Sequence, residues 1–346
     1  MENFDEYLRQ GEPNKAEKAK VWKTAIGLQQ VDGLQPSVYL IETAKQNIEG
    51  DITIDEVKKR IEGYYQQHPT KSTEDRTEEA DKVSARIAEL LGEQTFTFSP
   101  TEYLAIHRRL FTGIYQFAGK IRDYNITKKE WVLDGETVLY ASADNLMATL
   151  EYDFDQERRF TYKGLGQQEI VEHIAQFVAK LWQIHVFGEG NTRTTAVFLI
   201  KYLQKLGFKA VNNDLFANHS WYFRNALVRA NYENLSRNIY RTDKYLIRFL
   251  LNLLLNENYS LKNRDMHIMV DTVNLPLGTV NDTVNGTVND TIFLLVTEQN
   301  TITATQISEH LKLSVRTVRR RINELKKSGK IERIGSDKKG HWRVTE

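Results

Sequence analysis

The stretch His185-Val186-Phe187-Gly188-Glu189-Gly190-Asn191-Thr192-Arg193 gathers more chemically competent groups than any other part of the chain. Glycines beside a helix start let backbone N–H groups converge on an anion, and the helix dipole adds roughly half a positive charge there. Arg193 can add a bidentate contact to phosphate oxygens. Glu189 brings the opposite sign, which suits a phosphate site bridged by Mg2+, an ion held by one or two carboxylates plus substrate phosphates. His185, with an ordinary pKa of about 6.5, is the candidate general base. Together these groups point to nucleotide-dependent group transfer. The bland alternative makes His185 a helix cap and pairs Glu189 with Arg193 across one turn.

The elements that must position these groups are two helices. Ile170, Ile174, Phe177, Val178, Leu181 and Trp182 recur at helical spacing, which predicts a helix from about Gln168 to Ile184 that ends where His185 begins. Val197, Phe198, Leu199, Ile200, Tyr202 and Leu203 predict a second, closed by Gly207.

This stretch resembles the Fic family motif H-P-F-x-[DE]-G-N-G-R-x-x-R, whose members mostly transfer AMP from ATP to a hydroxyl of a target protein. His185, Phe187, Glu189, Gly190, Asn191 and Arg193 stand where the family has them; Val186 replaces Pro, Thr192 replaces the second Gly and Ala196 replaces the second Arg. The resemblance implies that His185 deprotonates the target hydroxyl, Glu189 holds the metal and Phe187 anchors the loop in the core. It implies nucleotide contacts from Gly188, Glu189, Gly190, Asn191, Thr192 and Arg193, with Asn191 and Arg193 on phosphates and the Thr192 side chain entering the anion hole. The rival reading is a nucleotide-binding, DNA-associated regulator with a degenerate, weak or inactive transferase site.

Residues 1–70 read as a helical regulatory segment with Trp22, Ile26, Val31, Val38, Tyr39, Ile41, Val57 and Ile61 buried. They resemble the small antitoxins that partner some Fic enzymes. Ala25 to Leu34 stands where the inhibitory motif [ST]-x-x-x-E-[GN] lies, but Leu28 replaces the hydroxyl residue and Asp32 the Glu. Asp32 is therefore the regulatory candidate and is expected to be a weak brake, because Ala196 offers no guanidinium for it to hold.

Residues 71–256 are read as the core. Helical periodicity runs through Val83, Ile87, Leu90 and Leu91, then from Ser99-Pro100 through Leu104, Ile106, Leu110 and Phe111. Ile106 to Phe111 and Ala118 to Arg122 also resemble the start of a Fic core, with His107 as a structural histidine. Trp131 to Tyr140, turning at Asp134-Gly135, predicts a β-hairpin, which the resemblance makes a flap that aligns the target segment. Tyr222 and Asn225 are weak candidates for base contacts. The apolar pattern fades near Leu255, and residues 257–290 with their Thr-Val-Asn repeats read as a linker.

Residues 291–346 read as a winged helix-turn-helix: Ala304 to Leu311, then a recognition helix from Val315 to Ser328 capped by Ser314, then a wing. From Thr301 on there are 12 Lys or Arg against 5 Asp or Glu, so this segment carries +7 and the remainder −6 of the net +1. That asymmetry favours DNA backbone contact, with Arg316, Arg319 and Arg320 on the recognition helix and Lys338 and Lys339 on the wing. The alternative is a winged helix used for protein contacts.

The expected architecture is mainly α, a Fic-type helical core with a β-hairpin flap plus a C-terminal winged helix. Zero cysteines exclude disulfides and thiolate-ligated metal. Tyr245 to Leu255 is too short to span a bilayer and holds Arg248 and Asn252. The expectation is a cytoplasmic, Mg2+-dependent protein adenylyltransferase using ATP, with an unidentified protein target and self-modification left open. DNA is a partner through the winged helix, and the oligomeric state, homo-oligomer included, is left open.

Overall fold

Proline at a helix start, hydroxyl caps and glycine stops set out the N-terminal helices. The computed structural model describes residues 4–10, 12–69, 75–208, 214–271, 292–293, 295–296, 300–311, 315–327, 331–334 and 341–344. After α1 (Asp5–Gln10), helix α2 (Pro13–Gly27) opens on Pro13, where a missing N–H is harmless. A tight 3-10 turn (Leu28–Asp32) follows and is closed by Gly33 at φ 71°. Helix α3 (Val38–Glu49) is capped by the Ser37 hydroxyl and stopped by Gly50 at φ 91°. Helix α4 (Ile54–Gln67) carries a reciprocal cap, with Thr53 N–H on Glu56 and Glu56 N–H on Thr53 Oγ1.

Trp22, Ile26, Val31, Val57 and Ile61 are buried as expected, Tyr39 and Ile41 half-buried. Val38 is a correction: it is 78% exposed. The buried stripe of α3 is Leu40, Ala44 and Ile48, and Val38 lies two positions back, on the opposite side of a 3.6-residue turn.

Helix α5 (Thr77–Gly92) packs on both α2 and α4, and α6 (Pro100–Phe111), capped by Ser99, packs on α5. Next come α7 (Leu146–Arg159), α8 (Gln167–Ile184), α9 (Asn191–Lys205), α10 (Asp214–Ala230) and α11 (Lys244–Leu255). Helices α8 and α9 flank the motif as the periodicity predicts. One apolar core runs from Phe4 through all of these and on to Met266 and Ile268. It therefore continues past Leu255, where the sequence pattern fades, because two isolated apolar residues carry no readable period.

The expected flap hairpin is also corrected. The Asp134-Gly135 turn is present, with φ 55° and 83°, and Glu130 N–H reaches Glu136 O at 3.0 Å. Between them Trp131–Leu133 forms a 3-10 turn in place of a strand. Val132 and Leu133 are adjacent and both fully buried, which an alternating strand cannot achieve.

The C-terminal unit, residues 271–346, has its own core of Ile292, Val296, Ile302, Ile307, Val318, Ile322, Leu325, Ile331 and Trp342. Its helices are α12 (Ala304–Leu311) and α13 (Val315–Lys327), and its antiparallel pair is β1 (Ile331–Ile334) with β2 (His341–Val344). Thr303 and Gln306 cap α12 reciprocally. Trp342 is fixed by its Nε1–H on Ile302 O at 2.9 Å. The Thr-Val-Asn repeats of 272–290, Ser314, Lys338, Lys339 and the side chain of Arg320 lie outside the described residues. No helix among the described residues is long and apolar enough to cross a membrane.

Gly27 shows how tightly the N-terminal segment joins the core. A Cβ there would lie 2.2 Å from the Ala217 Cα of α10. Gly27→Ala should therefore destabilise the protein by about 1–3 kcal/mol through overpacking, read as a lowered urea midpoint.

Candidate active site

The motif loop is built from the core outward. Phe187 is fully buried, and His107 of α6 stacks on its ring at 3.6 Å and 10°. The Asn191 side chain closes the loop, accepting from Phe187 N–H at 3.0 Å and donating to Phe187 O at 2.7 Å. His107 ties the loop to α6: its Nε2 meets Glu189 O at 3.0 Å, and Gly119 N–H donates to its Nδ1 at 2.8 Å. Burial pushes this imidazole down to about 4, which keeps it neutral with one donor and one acceptor. Gly190 sits at φ 78° under the Phe111 ring, where a Cβ would come within 2.5 Å, so neither its conformation nor its space admits a side chain.

His185 ends α8 in the left-handed region at φ 51°. It is buried, its ring lies 4.2 Å from that of Tyr140, and its Nδ1 is 3.3 Å from Trp182 O. Burial, then the charges of Lys128, Arg122 and Arg224, hold its pKa well below the ordinary value. The imidazole is thus neutral, and with Nδ1–H donated to the carbonyl, Nε2 keeps its lone pair. Arg122 fixes this corner by donating to the carbonyls of Tyr124, Ala141, Ile184 and His185.

The expected phosphate ligands are placed differently. Arg193 is fully buried. Its Nη2 donates to Glu79 Oε1 at 2.7 Å and Tyr115 OH at 3.3 Å, and its Nη1 to Gln29 Oε1 at 3.0 Å. Its Nε lies 2.8 Å from Asp32 Oδ2, a charge contact without the direction of a hydrogen bond. Its carbon centre lies 4.8 Å over the Phe111 ring. Asp32 is therefore not without a cation, as the loss of an arginine at Ala196 suggested; the Leu28–Asp32 turn brings it to the arginine one helical turn earlier. Thr192 also turns inward, its Oγ1 accepting from Trp182 Nε1–H at 3.0 Å. Tyr222 and Asn225 are buried in α10, and the Asn225 amide donates to Asn263 Oδ1 at 3.0 Å.

Glu79, Gln29, Tyr115 and Lys128 are site residues that motif reading missed. Gln29 and Glu79 stand 164 and 114 positions from Arg193, and no local pattern marks such pairs. Glu79 is held below its ordinary pKa of 4.5 although burial alone would raise it, because Arg76 and Arg193 stabilise the carboxylate.

Glu189 remains at the surface, its side chain 52% exposed, with Lys128 Nζ on its Oε2 at 3.0 Å. One exposed carboxylate beside a helix start fits the mode in which Mg2+ takes a single protein ligand plus phosphate oxygens. No cluster of three acidic or histidine side chains suited to a metal ion occurs among the described residues. The start of α9 at Asn191 adds N–H groups without intrahelical acceptors and the positive end of its dipole. In the C-terminal unit, Arg316, Arg319, Asn323 and Lys326 form the exposed face of α13, opposite Val318, Ile322 and Leu325.

Residues 97–203 match the Fic/DOC family model, and residues 287–341 match an HTH domain model. Protein adenylyltransferase VbhT of Bartonella schoenbuchensis is 25% identical over 103 residues, which is 30% of this chain and 20% of that protein. The chain thus spans a fifth of that relative's length. The probable protein adenylyltransferase y4lH of Sinorhizobium fredii is 27% identical over 147 residues, 42% of this chain and 71% of that protein. Among solved structures, the N-terminal FIC domain of Bep8 from Bartonella sp. aligns at 20% identity and TM-score 0.42, covering 54% of this chain and 88% of that one. A Fic family protein from Desulfovibrio desulfuricans aligns at 14% identity and TM-score 0.43, covering 99% and 93%.

The burial of Arg193 makes it a stability residue. Arg193→Met should cost about 3–5 kcal/mol in urea unfolding, because it breaks a buried ion-pair cluster and leaves Arg76 as the one remaining ion-pair partner of Glu79. The sign with pH follows from the lowered Glu79 pKa. Its contribution is full above about pH 4.5 and lost as pH falls through the folded-state value, so the variant should lose less stability on acidification than the wild type.

Proposed function

We propose that this chain, which carries a Fic/DOC family domain over residues 97–203, transfers AMP from ATP to a hydroxyl of a protein. The observation that carries the reading is the neutral His185, oriented by Trp182 O and set beside the start of α9. In this reading Nε2 of His185 takes the proton of the incoming hydroxyl, the hydroxyl oxygen bonds to the α-phosphorus, and pyrophosphate leaves with the electrons of the broken P–O bond. Mg2+ bound with the nucleotide supplies positive charge to the phosphates, and Glu189 would hold it. The exposed Leu139, whose carbonyl accepts from Gln183 Nε2–H at 2.9 Å, belongs to the segment that would line up the target chain.

The Arg193 cage supports a second reading, a nucleotide-sensing regulator with little transfer, because the arginine expected on phosphates is spent inside the protein. The C-terminal unit would serve either reading by contacting DNA phosphates through Arg316, Arg319 and Arg320 on α13.

His185→Ala should abolish incorporation of label from ATP into protein while leaving nucleotide affinity within about threefold, since it removes a base and not a phosphate ligand. Equal labelling by variant and wild type would exclude His185 as the base. Truncation after residue 271 should eliminate gel retardation of DNA and leave labelling unchanged, as two units with separate cores imply.

A further inference from the structure

A nucleotide's terminal phosphates need a cation, and four of the basic residues around the motif loop can be compared. Arg193 is enclosed by Asp32, Glu79, Gln29 and Tyr115. Arg122 spends its guanidinium on four backbone carbonyls. Arg224 neutralises the buried Glu130, with one nitrogen 3.0 and 2.9 Å from its two oxygens. Position 196 holds a buried alanine.

Lys128 differs from all three. Its side chain is 25% exposed, and its ammonium contacts one oxygen of Glu189, which is itself the exposed carboxylate of the loop. Its backbone is pinned by Lys128 N–H on Thr137 Oγ1 at 3.2 Å, so the side chain swings from a fixed point. Its contact with Glu189 sets it beside the motif loop, and its charge is the largest effect on His185 after burial. An ammonium offers three donors, and an exposed ion pair is worth at most about 1 kcal/mol. A polyphosphate, with more charge than one carboxylate, outcompetes Glu189 for it.

We propose that Lys128 is the ligand for the terminal phosphates of the bound nucleotide, supplying from the segment before the Trp131–Leu133 turn the positive charge that Ala196 does not supply from α9. The assignment rests on the nucleotide reading above and deepens it. Glu189 then exchanges partners: it holds Lys128 when the site is free and releases it when phosphates arrive.

The test is calorimetric binding of ATP and of AMP to the full chain in EDTA. Lys128→Met should weaken ATP binding about tenfold or more, as loss of a charge-assisted hydrogen bond implies, and change AMP binding less than threefold. Lys128→Arg should retain most ATP affinity. Glu189→Gln should strengthen metal-free ATP binding, and that gain should vanish in the Lys128→Met background, because the two residues act on each other. An unchanged ATP affinity in Lys128→Met, or equal losses for ATP and AMP, overturns the assignment and leaves the nucleotide reading standing. A wild-type chain that binds neither nucleotide overturns both. Thermal melting of each variant separates loss of binding from loss of fold.

Discussion

The enclosed guanidinium of Arg193 is the constraint that the rest of the first unit serves. A charge taken fully out of water must find opposite charge and hydrogen-bond partners or be destabilising by several kcal/mol. Here the partners come from three separate segments: Gln29 and Asp32 from the turn after α2, Glu79 from α5, Tyr115 and the Phe111 ring from the end of α6 and the loop beyond it. Each segment is then held in register with α9. The N-terminal residues are for this reason not a detachable cover. Leu28 and Val31 are buried around the same turn, and Gly27 meets α10 at backbone distance.

The neutral histidines follow from the same dense packing. His107 and His185 are both buried, and both are driven to the uncharged form first by loss of water. Their consequences differ because their partners differ. His107 has both ring nitrogens engaged by backbone groups, so it holds the loop and has no lone pair to give. His185 has one nitrogen engaged and sits at the end of α8 with a left-handed backbone, a conformation that turns the chain sharply into the loop.

Local signals in the sequence carried the helices, the motif loop and the tail, because caps, periodicity and glycine stops are short-range. Ser37, Thr53 and Ser99 start helices where such residues do, and Gly190 takes the positive φ that its place requires. The winged helix was legible for the same reason, with Val318, Ile322 and Leu325 inside and Arg316 and Arg319 outside. What was not legible depends on tertiary distance. Whether Asn191, Thr192 and Arg193 face a ligand or the interior is decided by Phe187, Trp182 and Glu79, and a motif does not contain that information. The flap failed as a strand because Val132 and Leu133 both have room in the core, which alternation along a sequence cannot express.

Charge governs the arrangement of Asp32. Around Arg193 there are two carboxylates, Asp32 and Glu79, with Arg76 sharing Glu79. If Arg193 turned outward to phosphate, Asp32 and Glu79 would face each other with one cation fewer, near an anionic guest, so the movement is opposed by burial and by repulsion together. With alanine at 196, Asp32 is still not idle, because it meets a guanidinium that a second carboxylate also holds. Removing Asp32 alone leaves Glu79, Gln29 and Tyr115 in place, so the arginine stays enclosed. With Arg193 enclosed, the side-chain cation that meets the exposed part of the loop comes from outside the motif, where Lys128 contacts Glu189.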